Sequence, residues 1–535
     1  MLFYLVLIPI LFGVLNILIS KWDTRIPVLV GQVLLLAYTF YLFFLVRSSG
    51  AIIDFMSGLP EGFAIRLYAD ILSSTMVLLN VLIFTVLLFF AYNKSYTTDK
   101  FLFLIFVLEG VMNSLFLSAD LFNLFIMLEV STLTVSILIM IKKEKQAIYD
   151  GMIYFFANVI GTTFMLFGIG FLYSTTGVLD IYVIADMMEY IQDPNLVLLP
   201  YALMMTTLSL KIAAVPLFSW LPKAHGTPSA PSVVSAILSG LYIKTGVYLF
   251  IRFSFMFGPV IDASNLFMVI GFITSVFGII MAVAQTDLKM ILAYSTVSQV
   301  GLIMVGINLG AQVAFFGALF HIFSHALFKS TLFLSAGQIE DQYGTRDIRQ
   351  IRGLWKTMPL TAISIVLAAF GIIGAPFFNG SVSKYMMASG SDMTLYSLAM
   401  HIINIGTIIY FVRLISILFG EEAKIRNPEA HAVDKLSEYT LLFLSIAILL
   451  TGIFSPVVVE ALFNYSDLTL LSTSYLEKNI FFVFEFIAGF ALYQGIVRRE
   501  TLLEVIKEFE ITFNGIITAM ASFFLFIYAY GFVFL

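Results

Sequence analysis

Cysteine is absent from this chain of 535 residues, and charged residues are scarce. Without cysteine the chain cannot contain a disulfide, a thiolate zinc site or a cysteine-ligated iron–sulfur cluster. Charged side chains make up 11% of the sequence, whereas an ordinary soluble domain has about a quarter. The sequence also lacks a redox-cofactor motif. We therefore predict no cofactor, no metal site, no nucleic-acid partner and no redox catalysis in this chain.

Apolar residues take the place of the missing charges. They form 60% of the sequence, and the mean hydropathy is +1.01. Apolar runs of about 18 residues or more recur from one end to the other, and each is long enough to cross a bilayer as a helix. The sequence therefore predicts an all-α polytopic membrane protein with about 14–16 transmembrane helices and no soluble domain.

The breaks between apolar runs predict where these helices begin and end. The sixteen candidates are 2–20, 26–46, 69–93, 100–118, 121–141, 149–174, 198–219, 230–256, 264–285, 289–308, 311–338, 358–390, 393–419, 437–462, 479–497 and 515–535. Between the last two, "RRETLLEVIKEFEITF" is amphipathic, which predicts a short helix along the membrane surface.

Lysine and arginine are distributed unequally over the predicted loops. With the N-terminus outside, outer loops hold four of the 28 basic residues, five lie inside helices and the other nineteen are in inner loops. Since short inner loops are enriched in lysine and arginine, this bias predicts an N-terminus outside. The five residues inside helices are Lys211, Lys244, Lys329, Lys384 and Arg413.

A lysine at the centre of an inserted helix costs about 2.5–3.5 kcal/mol, so buried lysines suggest a function. Lys384 and Arg413 lie near a break or a helix end, where snorkelling to the interface is the alternative. Lys211 and Lys244 lie well within their predicted spans, which favours an ion or proton site in the membrane interior. A buried lysine that gains and loses a carboxylate partner can load and release a proton.

Candidate partners are Glu129 in the middle of a predicted helix, Glu109 in another, and Asp120 at the turn between these two helices. For Glu129 the alternative is a static ion pair that holds two helices together. For Glu109 both a functional and a structural role stay open.

A stripe of titratable residues lies in the apolar stretch "FHIFSHALFKSTLFLSAG", residues 320–337. His321, His325 and Lys329 recur at every fourth position, so they share one helix face about 6 Å apart. Histidine titrates near neutral pH and can accept a proton on one ring nitrogen while it donates from the other. We favour a proton relay over a structural network or a metal site, because a metal would need further ligands on facing helices.

Two of the predicted helices are interrupted beside a lysine. Pro216 follows Lys211 in the seventh helix, and Gly374 and Pro376 precede Lys384 in the twelfth. Proline breaks the helical hydrogen-bond ladder, and freed carbonyls are tolerated in the membrane only where they face protein or water. Paired broken helices in the two halves of a chain are typical of transporters built from inverted repeats.

Five segments together resemble a known family: "SADLFNLFIMLEVSTLTVSILI", "LSLKIAAVPLFSWLPKAHGTPSAPSVVSAILSGLYIKTGVYLFIR", "TDLKMILAYSTVSQVGLI", "FHIFSHALFKSTLFLSAG" and "NGSVSKYMM". In these the chain resembles the antiporter-like subunits of respiratory complex I, of Mrp-type Na+/H+ antiporters and of membrane-bound hydrogenases. The resemblance implies two inverted five-helix repeats, helices 4–8 and 9–13, with helices 7 and 12 broken. The implied regions are 1–99, 100–257, 258–420 and 421–535.

The same resemblance implies a role for each polar residue along the membrane plane. Glu129 would pair with Lys211, Lys244 would bridge the two halves, and Lys384 would be the exit residue. The relay between them would consist of His321, His325 and Lys329. Accessory candidates are Glu109, Asp120, Asp180, Lys223 and His225; Asp180 matches an acidic loop position that tends to pair with basic residues of neighbouring subunits. Glu109 departs from the family pattern, in which a small or apolar residue is expected.

The predicted function is ion translocation, of H+ with Na+ as a second candidate, by a subunit of a multisubunit redox-driven or Mrp-type complex. Its partners would be other membrane subunits, further antiporter-like subunits among them, and the lipid of a prokaryotic cell (inner) membrane. Two alternatives stay open at this point: a stand-alone secondary transporter of a small solute, and a membrane coupling subunit for inorganic-carbon uptake.

Overall fold

Helices make up most of the structure, a computed structural model. It describes residues 1–19, 25–55, 65–226, 230–391, 394–421, 427, 433–470, 472–495, 497–499, 503–507 and 509–534. A helix satisfies its own backbone hydrogen bonds, which is what the interior of a bilayer requires. The apolar composition and the helical fold therefore have the same physical cause.

The described residues up to 257 form eleven helices and one hairpin. The helices are α1 (Phe3–Leu18), α2 (Arg25–Ser49), α3 (Ile71–Ala91), α4 (Asp99–Leu117), α5 (Leu121–Ile139), α6 (Lys145–Thr176), α7 (Ile181–Met188), α8 (Asn195–Lys211), α9 (Trp220–Gly226), α10 (Ser232–Ile237) and α11 (Ile243–Phe257). A π-helical turn, Leu238–Tyr242, joins α10 to α11. The antiparallel strands β1 (Ile52–Phe55) and β2 (Arg66–Ala69), which the sequence did not predict, lie between α2 and α3.

The remaining described residues form twelve more helices. They are α12 (Ser264–Ala284), α13 (Leu288–Asn308), α14 (Gln312–Tyr343), α15 (Leu354–Thr357), α16 (Pro359–Ile373), α17 (Asn379–Ala388), α18 (Thr394–Ile415), α19 (Lys435–Ile453), α20 (Ser455–Phe463), α21 (Thr473–Gly495), α22 (Glu504–Lys507) and α23 (Phe513–Phe534). Two 3-10 turns follow α18 and α21.

Within the described ranges, twelve helical segments are long and apolar enough to cross a membrane. The other four predicted spans coincide with the shorter α1, with α8, with the broken pair α16–α17 and with α21, whereas α9 lies beyond the predicted end at residue 219. The prediction of an all-α polytopic membrane protein is confirmed.

Both predicted helix breaks are present, and in each the backbone carbonyls freed from the helix face other groups of the protein. The helix α8 ends at Lys211, and Ala213 then adopts a left-handed conformation with φ of 55°. The indole Nε1 of Trp220 donates to the freed carbonyl of Leu210 at 2.7 Å. The helix α16 ends where Gly374 takes φ of 82°, a value that favours glycine.

Several features recur in the two halves of the chain. The helices α6 and α14 have 32 residues each, and both end at a left-handed glycine. Asp120 caps the N-terminus of α5 as Asp287 caps that of α13. Each of these aspartates also forms an isolated antiparallel bridge, the first with Asp180 and the second with Asp347. These correspondences support the two predicted repeats; their boundaries and their inversion across the membrane stay predictions.

The C-terminal helices connect the two halves. The helix α21 packs on α18 in the second half, whereas α23 packs on α6 and α8 in the first. Where the sequence predicted a surface helix, the structure has the four-residue turn α22, and Lys507 in this turn donates to the hydroxyl of Thr286 at 2.9 Å. The described part of this predicted surface helix is thus no longer than one helical turn.

The close approach of α17 to α16 generates a first prediction. A Cβ atom at Gly380 would clash with the carbonyl oxygen of Gly371, so Gly380→Ala has to push the two half-helices apart. Overpacking of this kind costs about 1–3 kcal/mol, and it would displace Lys384 on the same short helix. We expect a lower thermal unfolding midpoint of the detergent-purified complex. Gly170→Ala, at a helical glycine with open space around it, is the control and should leave the midpoint unchanged; equal midpoints for both variants would contradict the packing argument.

Candidate functional site

A row of buried basic side chains runs through both halves of the chain. Its lysines lie on α8, α11, α14 and α17, and each is at most 5% exposed. Two fully buried histidines on α14 lie among them. The members of this row, which we call the polar axis, are Lys211, Lys244, His325, His321, Lys329 and Lys384.

At one end of the polar axis, Lys211 is held by hydroxyl groups. Its ammonium donates to Thr132 Oγ1 at 2.7 Å and to the Tyr242 hydroxyl at 3.4 Å. The hydroxyl of Tyr154 donates in turn to Tyr242 at 3.0 Å. Lys211 is the last residue of α8, at the predicted break of the seventh helix. This position is favourable for a cation, because the C-terminal end of a helix carries partial negative charge.

The predicted pair of Glu129 and Lys211 is not formed in this structure. Glu129 is half-buried and accepts a hydrogen bond from the Thr162 hydroxyl. No ion pair within 4.0 Å joins it to Lys211 among the residues the structure describes. Thr132, the partner of Lys211, lies one helical turn after Glu129 on α5, so the same helix presents both acceptors on neighbouring positions.

Lys244 is the point where the two halves of the polar axis meet. Its Nζ donates to the carbonyl oxygen of Ser239, in the π-helical turn, and lies 2.5 Å from Nδ1 of His325 on α14. A π turn shifts the backbone ladder and releases a carbonyl, and such turns are frequent at functional sites. No sequence pattern predicted this turn.

The two histidines of the stripe contact different parts of the structure. His325 turns back to Lys244, whereas His321 forms hydrogen bonds to Ser383 Oγ on α17 at 2.8 Å and to Gln299 Oε1 on α13 at 3.0 Å. The two imidazole centroids are 6.3 Å apart. Lys329 donates to the carbonyl oxygen of Leu292 at 2.8 Å and to the Ser295 hydroxyl.

At the other end, Lys384 opens onto a cleft that sequence reasoning missed. Its Nζ donates to the Ile372 carbonyl at 2.8 Å and to Asn404 Oδ1 at 2.7 Å. Asn404 donates to Glu485 on α21, and His401 Nδ1 lies 2.6 Å from the same carboxylate. These side chains line one cleft between α17, α18 and α21.

Lys478 also lines this cleft. The predicted helix bounds put it in an outer loop, but it lies within α21 and donates to the carbonyl oxygen of Ser381 at 2.8 Å. The only sequence signal for these additional residues was the presence of single charged side chains in otherwise apolar helices.

The acidic accessory candidates form no ion pair or hydrogen bond with the polar axis in the described part of the chain. Asp120 accepts from the backbone N–H of Asn123 as the cap of α5, and burial raises the pKa of its carboxyl. Asp180 pairs with Arg66 of its own chain at 3.1 Å, so its predicted pairing with a neighbouring subunit stays a prediction. Glu109 lies between α2 and α3.

Two further accessory candidates lie near the broken first half. Lys223 pairs with Glu510 at 3.5 Å. The ring of His225 stacks on Phe333 with centroids 4.6 Å apart, and neither of its ring nitrogens has a hydrogen-bond partner in the described part of the chain. Arg413, for which snorkelling was the alternative, is buried and donates to the carbonyl oxygen of Val283.

Residues 118–420, more than half of the chain and all of the polar axis, match one family model, described as NADH:quinone oxidoreductase/Mrp antiporter, transmembrane. The chain belongs to this family. Membership confirms the predicted class, an ion-translocating membrane subunit of a multisubunit complex.

Curated relatives come from both branches of the family. The D subunit of the Na(+)/H(+) antiporter of Alkalihalophilus pseudofirmus is 29% identical over 486 residues, which cover 88% of this chain and 98% of that relative. The N subunit of the NADH-quinone oxidoreductase of Desulforudis audaxviator is 32% identical over 376 residues, 68% of this chain and 74% of that relative.

Solved structures show the same fold. A chain in the Mrp complex from Dietzia sp. DQ12-45-1b superposes with a TM-score of 0.79 at 22% identity, covering 95% of this chain and 99% of that one. A chain of an archaeal membrane-bound sulfane sulfur reductase gives a TM-score of 0.78 at 23% identity, covering 91% and 99%. At these identities the likeness concerns the fold alone.

The cleft at Lys384 generates a second prediction. Glu485→Gln keeps the size of the side chain but removes the only carboxylate that lines the cleft beside Lys384 in the described residues. We expect ion flux in vesicles prepared from cells that carry the variant to fall several-fold while the complex still assembles. Glu460→Gln, at an exposed carboxylate that pairs with Arg47, is the control. Full flux in Glu485→Gln would show that the cluster only stabilises the packing of α21.

Proposed function

We propose that the polar axis conducts protons between two half-channels, one ending at Glu129 and the other at Lys384 and Glu485. The observation that carries this proposal is the contact of Lys244 with His325, because it joins the first half of the chain to the second through two groups that both bind protons.

The chemistry of this contact suits proton transfer. A hydrogen bond between an amine and an imidazole requires one nitrogen to carry the proton and the other to accept it. Two full positive charges at 2.5 Å in a buried site would repel strongly. Lys244 and His325 can therefore hold at most one excess proton between them, and this proton can reside on either partner.

The rest of the route needs short movements. His321 leads toward Lys384 through Ser383, which shares α17 with that lysine. Because the two histidine rings are not in hydrogen-bond contact, a bridging water or a ring rotation would complete the step between them. Lys329, bonded to hydroxyl and carbonyl oxygens, would act as a nearby charge that biases the step.

At the first end, Glu129 and Lys211 would form a switch. In the separated arrangement each has its own hydroxyl partner, Thr162 for Glu129 and Thr132 for Lys211. A lysine that exchanges Thr132 for the Glu129 carboxylate would gain a proton-stabilising partner, and it would lose this stabilisation on return.

The complex to which the chain belongs would exchange H+ against Na+ or pump H+ with energy from a redox partner. The name of the Alkalihalophilus relative favours the first, and that of the Desulforudis relative the second. In either case the chain would lie among other membrane subunits in a bacterial membrane with its N-terminus outside, as the distribution of basic residues predicts.

The switch generates a third prediction. Glu129→Gln and Lys211→Met should each abolish most of the coupled transport, because neither variant can alternate a charged pair. Flux is measured in inverted membrane vesicles, with sodium addition and respiratory substrates tried as the driving force in parallel. A static pair predicts instead that the double variant recovers stability and transport together, and this result, or near-normal transport in either single variant, would exclude the switch.

The contact between the halves generates a fourth prediction. His325→Ala should cost far more transport than Ser324→Ala, its neighbour on α14, since only the imidazole can both accept and donate a proton near neutral pH. Both side chains are fully buried, so equal losses in the same vesicle assay would indicate a packing role and contradict the proposed route.

A further inference from the structure

A second polar cluster lies among the first four helices, apart from the polar axis. Its centre is Glu109 on α4, which is fully buried and accepts a hydrogen bond at 2.7 Å from the side-chain amide of Gln32 on α2. The amide of Asn80 on α3 lies 3.4 Å from the backbone carbonyl of Glu109. Glu109 therefore contacts Gln32 through its carboxylate and Asn80 through its backbone, at a place where three helices pack together.

The orientation of Asn80 is fixed by a chain of donors. The backbone carbonyl of Leu5 can only accept, so Asn113 directs its Nδ2 toward it at 2.8 Å. Oδ1 of Asn113 must then accept, and it does so from Nδ2 of Asn80 at 2.9 Å. The carbonyl oxygen of Asn80 consequently faces the other way, and no donor reaches it in the described part of the chain.

The orientation of Gln32 is fixed in the same way. The Thr85 hydroxyl donates to the Val81 carbonyl at 2.7 Å, so its oxygen is left to accept from Nε2 of Gln32 at 3.2 Å. The same amide nitrogen also donates to Oε1 of Glu109. Oε1 of Gln32 and Oε2 of Glu109 have no hydrogen-bond partner among the described residues.

The cluster thus has more acceptors than donors. Three buried oxygens, Glu109 Oε2, Gln32 Oε1 and Asn80 Oδ1, are unpartnered, although buried polar atoms in proteins are almost always satisfied. An unpaired buried carboxylate is especially unfavourable. Rotation of either amide would only exchange one unpaired atom for another, so no donor among the described residues meets the deficit.

Among the residues that the structure describes, no charged side chain supplies the missing partner. Two arginines on neighbouring helices already have ion-pair partners near helix ends. Arg252 pairs with Asp70, and Arg47 pairs with Glu460. Asp99 at the start of α4 accepts from Asn16, and the acids of α5, Asp120 and Glu129, have the partners described above. The described residues include no ion pair to Glu109.

We propose that Glu109 and Gln32 form a binding site for a monovalent cation, H+ or Na+, outside the proton route, with Asn80 as a neighbouring polar group. A carboxylate with amide carbonyl oxygens is the ligand type that hard cations prefer. A proton on Glu109 would satisfy the same deficit by donating to one of the amide oxygens. The site lies in helices that precede the family match at residues 118–420, and the proposal does not depend on the route along the polar axis.

The test uses the purified complex and two probes. Thermal unfolding is measured in NaCl against choline chloride at equal ionic strength, and the infrared carboxylic-acid band is followed over a pH series. A sodium site predicts stabilisation by NaCl that Glu109→Gln abolishes and that Asn80→Ala shifts to concentrations about tenfold higher or more. A proton site predicts no sodium effect, but a carboxylic-acid band that Glu109→Gln removes and that disappears reversibly at high pH.

Glu460→Gln is the control, because its exposed carboxylate should leave both signals unchanged. The proposal is overturned if the wild-type complex shows neither a sodium effect nor a titrating band. It is equally overturned if Glu109→Gln retains both wild-type signals. The wild-type measurement alone can refute the site, so the proposal stays testable even if the Glu109→Gln variant does not assemble.

Discussion

The cost of a buried cation governs the whole arrangement. An ammonium group removed from water is stable only where oxygen or nitrogen acceptors replace its hydration. Carbonyls inside a regular helix are already bonded once, although that of Leu292 in α13 also accepts from Lys329. Two irregular stretches of backbone supply carbonyls to other lysines. The break after α16 frees the carbonyl that Lys384 uses, and the π turn frees the one that Lys244 uses.

This constraint also explains how far the sequence alone predicts the structure. The apolar interior of the bilayer requires apolar helical segments. Each of the sixteen predicted segments therefore overlaps a helix or a pair of helices. Proline beside lysine marks both breaks for the same reason. The π turn at residues 238–242 was not predictable, because it depends on packing against α14. The open state of Glu129 and Lys211 depends on side-chain rotamers, which a sequence does not specify.

The residues missed by sequence reasoning have a common property: their partners are far away in the chain. Glu485 bonds Asn404 and His401 across 81 and 84 positions, and Gln32 bonds Glu109 across 77. A single acid in an apolar helix is visible in the sequence, but its partner is known only after the helices pack. The C-terminal helices illustrate this most clearly, since α21 brings Glu485 to the second half and α23 returns to the first.

The charges along the polar axis suggest how it would move a proton. Its central members are all bases, and carboxylates lie only toward the two ends, at Glu129 and Glu485. In a row of close bases each added positive charge raises the energy of its neighbours, because the buried site screens poorly. A proton that enters at one end would therefore displace the next one rather than accumulate. An acid at each end would lower the energy of the charged lysine beside it. The direction of transfer would then depend on the end at which the acid and the lysine are paired.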